Sequence, residues 1–240
     1  MPSGAKNCSR CDGTGFQILE KGEATRAVPC KCRQKDRKTR ILHTSRIPRR
    51  YSNCTLENFD QQNPSLTRAR GIAERYVREY PLHEVGLLFL GPCGVGKTHL
   101  AVAILQSLIQ TKGVPGLFYD YRDLLKEIQG TFGSTSEGSE MGILAPVFAA
   151  ELLVLDDIGA RQPSAWVDEI LSHIISHRYN EKRVTLLTSN YPDMTSRDGG
   201  PTLEERIGTR LRSRLYEMCK IVQIDGDDYR IGARQAGYRF

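Results

Sequence analysis

The sequence predicts an α/β fold in which buried strands alternate with helices, and two stretches carry that expectation. In the first, Val85-Gly86-Leu87-Leu88-Phe89-Leu90 is a short apolar run that reads as a strand. It leads into Gly91-Pro92-Cys93-Gly94-Val95-Gly96-Lys97-Thr98, which fits G-x-x-x-x-G-K-[ST], and then into the unbroken apolar helical pattern His99 to Gln106. In the second, Glu151-Leu152-Leu153-Val154-Leu155-Asp156-Asp157-Ile158-Gly159 is a buried strand ending on paired acids. Strand, glycine loop and helix in that order turn a pattern match into a nucleoside triphosphate site. The glycines let successive backbone N–H groups turn inward, and the helix N-terminus adds partial positive charge. Gly91 to Thr98, with His99 just behind, are the expected binding residues; Lys97 would reach the β- and γ-phosphates and Thr98 would ligate Mg²⁺. Asp156 would hold Mg²⁺ through its water shell, and Asp157 would orient the attacking water.

The chain has 240 residues, room for one full α/β domain and a small appendage. Its apolar fraction of 39% supports a packed core. No apolar run approaches the length needed to cross a bilayer, and the first residues lack a signal-peptide core, so no membrane role is expected. The net charge of +6 suggests an anionic partner beyond the nucleotide. Seven cysteines beside an ATP site and no export signal read as reduced thiols in a cytoplasm.

Taken in order, the chain begins with Cys8-x-x-Cys11 and Cys30-x-Cys32, each expected on a tight turn beside Gly13 and Gly15 or Pro29. Facing turns of this kind can place four thiolates around a structural Zn²⁺ in a segment too small for its own core. Cys54, Cys93 and Cys219 are isolated and read as small apolar fillers, with Cys93 merely lying in the phosphate loop. From Lys31 to Arg50 nine basic residues face one acid, Asp36, with helix-forming composition in the middle and Ile47-Pro48 ending it. This is a solvated linker or a docking element for nucleic acid or protein. A boundary is expected there: residues 1–46 form a zinc-binding, basic, helical N-terminal domain and residues 47–240 the ATPase domain.

Asn63-Pro64 caps a helix that carries Leu66, Ala69, Ile72, Ala73, Tyr76 and Val77 to about Tyr80. Leu117-Phe118-Tyr119 reads as a strand, with Asp120 or Asp123 capping the helix that follows, and 130–142 as a mobile Ser/Gly/Thr-rich loop. Pro163-Ser164 opens a helix with Trp166, Val167, Ile170, Leu171, Ile174 and Ile175 on its buried face. His173 and His177 are expected on its solvent side. Arg183 to Asn190 is a strand whose polar end, Asn190, would lie beside the phosphate loop. Thr202-Leu203-Glu204-Glu205 is a capping box opening a helix with Arg206, Arg210 and Arg214 spaced four apart. A last strand, Lys220 to Ile224, precedes the tail Asp228-Tyr229-Arg230.

The phosphate loop, the strand ending Asp156-Asp157, Thr188-Ser189-Asn190 and Arg210-Leu211-Arg212-Ser213-Arg214-Leu215 together resemble the AAA+ ATPases. More closely the chain is similar to the DnaC/DnaI-type replicative helicase loaders and their relatives, the IstB transposition helpers. Ile47-Pro48-Arg49-Arg50-Tyr51, running on to Glu57-Asn58-Phe59, resembles the approach to their ATPase domain. The resemblance covers about Ile47 to Arg230. It implies a three-layer sandwich with parallel strand order 5-1-4-3-2, Asn190 as sensor 1 and Arg214 as an arginine finger acting on a neighbouring subunit, supported by Arg210. It implies a helical lid that is missing or vestigial, with Arg230 a candidate for sensor 2. It further implies ATP hydrolysis, self-association on ATP and DNA, single-stranded DNA in the ATPase domain and a DnaB-type hexameric helicase gripped by the N-terminal domain. The host would be a bacterium or a phage. The rival readings are an IstB-like helper of a transposase and an ATP-switched nucleic-acid-binding module.

Overall fold

The computed structural model describes residues 8–21, 24–82, 84–132, 140–193 and 199–231. At the front, β1 (Phe16–Lys21) and β2 (Ala24–Pro29) form an antiparallel hairpin, followed by α1 (Lys31–Thr44). A single 3-10 turn at Arg49–Tyr51 leads towards α2 (Pro64–Glu79), which Asn63 caps by accepting from the Leu66 N–H. Next come β3 (Gly86–Leu90), α3 (Lys97–Lys112), β4 (Gly116–Asp120) and α4 (Tyr121–Gly130), capped by Asp120. Then follow α5 (Glu140–Ala149), β5 (Leu152–Asp156), α6 (Ala165–Asn180) with Ser164 as its cap, and β6 (Val184–Ser189). Finally α7 (Leu203–Ile207), α8 (Thr209–Met218) and β7 (Cys219–Gln223) close the described chain.

The sheet of five strands runs β4-β5-β6-β3-β7, every neighbouring pair parallel. Numbered from β3, that is the expected order 5-1-4-3-2 read from the opposite edge. Alternate residues of each strand leave opposite faces, so Leu87 and Phe89 join α2 and α3 on one side while Leu88 and Leu90 join α4 to α8 on the other. With strands buried on both faces, apolar runs replace alternation. Helix α3 is buried almost all round, from Leu100 to Ile109, because it lies between the sheet, α1 and α2. Helix α1 leans on this same layer through Ile41 and Leu42. The Phe118 N–H donates to the Ser45 carbonyl, and the Lys38 ammonium donates to the carbonyls of Gln110 and Thr111 at the end of α3. The basic helix is therefore fixed against the core of the five-stranded sheet rather than tethered to it.

Several expectations need correction. Cys30 and Cys32 do not lie on a tight turn: Cys30 is the N-cap of α1 and Cys32 is in its first turn. The row of Arg206, Arg210 and Arg214 is not one helix, because Gly208 at φ 81° splits α7 from α8 and parts Arg206 from the other two. The Thr202–Glu205 capping box is present as expected. His173 is exposed as expected and His177 is half-buried, and both rings contact Phe148 of α5, at 4.9 and 4.4 Å. The expected mobile loop falls mainly at 133–139, outside the described residues, and its end opens α5. Cys219 is buried as expected, Cys54 is half-buried, and Cys93 is exposed in the phosphate loop. After β7 the chain runs as an extended strap over 224–228 and the described residues end in a helical turn at 229–231.

One buried charge went unforeseen. Arg178 of α6 is wholly buried, its guanidinium donating to the carbonyls of Val147, Ala150 and Val184 and to the Thr185 hydroxyl. Burial pulls its pKa down to about 9, yet its donors are occupied, which is the condition for holding a cation inside.

Candidate functional site

The C-terminal ends of β3, β4, β5 and β6 meet at one cavity of about 950 Å³. Its floor is the loop from Gly91 to Gly96, which ends in the left-handed N-cap Gly96. A side chain at Gly94, φ 78°, would collide with Asp228 of the strap, so glycine is what lets strap and loop touch. Lys97 folds over the loop, its ammonium donating to the Gly91 carbonyl at 2.8 Å and the Pro92 carbonyl at 2.6 Å. Burial draws its pKa down, opposed by Cys93, Asp157 and Asp156. The Thr98 hydroxyl donates to Asp156 at 2.8 Å, and Thr188 from β6 donates to the same carboxylate at 2.6 Å. Burial pushes Asp156 up to about 6, against those hydroxyls. An oxygen-only pair, one hydroxyl and one desolvated carboxylate, suits a hard divalent cation such as Mg²⁺, which would restore the lost charge compensation.

Asp157 takes a left-handed conformation, φ 60°, that turns its carboxylate towards Asn190, whose amide donates to it at 2.6 Å. Arg122, just past β4, stands 3.5 Å from Asp157 and 3.6 Å from Asp120. Burial raises Asp157, and Arg122 opposes that. The structure thus brings Lys97, Thr98, Asp156, Asp157 and Asn190 to one mouth. Cys93, Gly94, Val95, Gly96 and His99 line the same cavity, whereas Gly91 and Pro92 do not line it and only accept from Lys97 through their carbonyls. His99 reaches the Thr55 carbonyl at 2.8 Å and packs edge-on against Phe59, so it anchors the segment that walls the site. A carbonyl only accepts, so Nε2 carries the proton.

Arg210 and Arg214 do not line this cavity. Arg210 is exposed, and Arg214 donates to the Ser176 hydroxyl at 2.5 Å on the outer side of α6. Arg206 instead braces the loop after Asp157 through the Gly159 and Arg161 carbonyls. Lining residues not foreseen as site residues include Tyr51, Asn58, Phe59, Asp60 and Arg122. The only available signal for the first three was their place in the stretch resembling the approach to the domain. Arg230 reaches the cavity from the strap, tied down where the Tyr229 N–H donates to the Gly94 carbonyl.

A second cluster lies at the N-terminal end of α1. The sulfurs of Cys8, Cys11, Cys30 and Cys32 all lie within 4.8 Å of one another, with Cys8 3.9 Å from Cys30 and Cys11 3.4 Å from Cys32. Tetrahedral zinc with ~2.3 Å bonds to sulfur would set these edges near 3.8 Å, so the donor set fits structural zinc. Cys32 is pushed up to about 12 by burial and by its thiol neighbours. Four thiolates cannot coexist there without a cation.

The sequence profile of the IstB-like ATP binding proteins matches residues 26–237. A replicative helicase loader DnaC from Buchnera aphidicola subsp. Schizaphis graminum is 32% identical over 173 residues, 72% of this chain and 69% of that protein. Among solved structures, a DnaC helicase loader superposes with TM-score 0.65 at 34% identity, covering 74% of this chain and 99% of that one. A DnaI structure superposes with TM-score 0.61 at 26% identity, covering 76% and 93%.

Proposed function

Because this chain belongs to the IstB-like ATP-binding protein family, we propose that it is an ATP-dependent loader that delivers a DnaB-type hexameric replicative helicase onto single-stranded DNA at replication initiation. The observation that carries this reading is the similarity to DnaC loaders in both sequence and fold across the nucleotide-binding body. Lys97 takes the β- and γ-phosphates, Thr98 and Asp156 hold Mg²⁺, and Asp157 with Asn190 orients the attacking water. Arg214, with Arg210 beside it, completes a neighbouring subunit's site, which makes turnover depend on assembly. Arg230 contacts nucleotide from the strap. Residues 1–46 form the docking domain, built on a zinc knuckle whose hairpin exposes Phe16, Ile18 and Leu19, and residues 47–240 form the ATPase domain.

Size exclusion with mass detection, with the replicative helicase of the source organism and ATP, tests the reading. A complex that is lost when residues 1–46 are removed supports it. Absence of a complex at micromolar concentrations overturns it in favour of the second reading, a transposase helper, which the family match itself favours. Hydrolysis supplies the catalytic test: Arg214→Ala should bind ATP normally yet lose DNA-stimulated turnover by ~10³-fold, the scale of a finger supplied in trans. Normal stimulated turnover removes the finger assignment, and no turnover in the wild-type chain leaves only an ATP-switched binding module.

A further inference from the structure

Helix α1 has a basic side that neither the nucleotide site nor the thiol cluster uses. Between it and the end of α3 runs a groove of about 510 Å³ lined by Lys31, Gln34, Lys35, Lys38, Thr39, Leu42 and Gln110. Three of these are cations and none is an acid. Lys31 and Lys35 are exposed and form no ion pair among the described residues. Lys38 spends two of its three hydrogens on the α3 carbonyls. We propose that this groove holds the sugar–phosphate backbone of single-stranded DNA, with Lys31 and Lys35 each taking one phosphate. The proposal rests on the single-stranded DNA part of the function given above, and it moves the basic helix from gripping the helicase to gripping the strand.

Three features favour a strand over other anions. The cations are strung along α1 rather than converging on one point: at 1.5 Å per residue Lys31 and Lys35 are ~6 Å apart along the axis, about the separation of successive phosphates on an extended strand. Gln34, Thr39 and Gln110 add neutral donors between the charges, which suits a backbone tracked without sequence preference. The groove is also rigid, because α1 is pinned at Lys38, Ser45 and Arg46, the last paired with Glu127. A surface fixed against the ATPase core can carry the strand in register with the nucleotide site.

The test is fluorescence anisotropy of a labelled oligothymidylate with the full chain, zinc-loaded and with ATP and Mg²⁺, across a salt series. Each phosphate contact on single strands contributes ~0.7 to the slope of log K against log[salt], and ~5-fold in affinity at 0.1 M salt. Lys31→Gln with Lys35→Gln should lower the slope by ~1.4 and weaken binding ~25-fold, with zinc content and ATP binding unchanged. Because Lys31 sits between two thiols, Lys35→Gln alone is the second variant, expected to lose ~0.7 in slope and ~5-fold in affinity. The pair Arg37→Gln with Arg40→Gln, on the far side of α1, is the control. An unchanged slope in both lysine variants overturns the groove while leaving the loader reading in place. Equal losses in the arginine pair also overturn it, because a diffuse basic field would then explain the binding. A wild-type chain that does not bind the oligonucleotide overturns both.

Discussion

From Leu56 onward, apolar side chains fill both faces of the sheet, whereas among described residues before Leu56 the only buried apolar side chains are Cys11 and Cys30. Phe16, Ile18 and Leu19 of the hairpin stay exposed instead of forming a core. The body is held by area removed from water; the hairpin at the front would be held by a zinc cross-link between the four sulfurs that its thiol cluster fits. The first depends on many small contributions and tolerates the loss of any one. The second would depend on a single set of bonds and fail at once. The difference teaches where each part of the molecule is vulnerable.

The largest expected effect is loss of the zinc proposed for the thiol cluster. Structural zinc sites contribute ~10 kcal/mol or more to folding, so chelation or Cys11→Ser should unfold the hairpin entirely. Hydrogen exchange would show Phe16 to Pro29 losing protection while amides of β3, β5 and β6 keep theirs. If the hairpin stays protected after the metal is removed, the comparison collapses. Next comes the body: Phe89→Ala empties a fully buried position on the central strand. The cost should be ~3–5 kcal/mol, or roughly 10 °C in melting temperature for a domain of this size. Bound zinc, measured by atomic emission, should be unchanged, which separates the two modes of support. Third is a change that touches neither scaffold. Lys97→Ala should weaken ATP binding at least ~100-fold by calorimetry, ~2.7 kcal/mol, with the melting temperature of the nucleotide-free protein preserved. The smallest is Asn63→Ala, which removes the cap of α2 and the Asn63 amide bond to the Asp225 carbonyl of the strap. About 1 kcal/mol is expected from the cap, read by urea denaturation.

The body was largely legible because its signals are local. A phosphate loop needs a strand before it and a helix after it; Asn63-Pro64 and Thr202-x-x-Glu205 announce helix starts through their own side chains. What escaped reading depends on distant partners. Helix α5 carries Gly142 and Pro146, and its burial against α6 outweighs the poor helix propensity of both. Gly208 divides two helices because of its backbone conformation, which a four-residue arginine spacing conceals. Arg122 enters the site only because β4 and β5 are neighbours, and Arg230 only because the strap folds back over Gly94. The hairpin β1–β2 gave no alternating pattern, since neither of its faces is covered by a core.

The buried guanidinium of Arg178 has a consequence for anyone scanning variants of this protein. It ties the end of α5 to the start of β6 through five acceptors, counting the Phe148 carbonyl at 3.4 Å. Lysine, with a single ammonium, cannot span that fan of acceptors, and any apolar replacement strands the carbonyls. In a saturation screen scored by growth, position 178 should tolerate as little as position 97. Activity data alone would then promote a structural rivet to the rank of a catalytic group; measuring soluble yield beside activity tells the two apart.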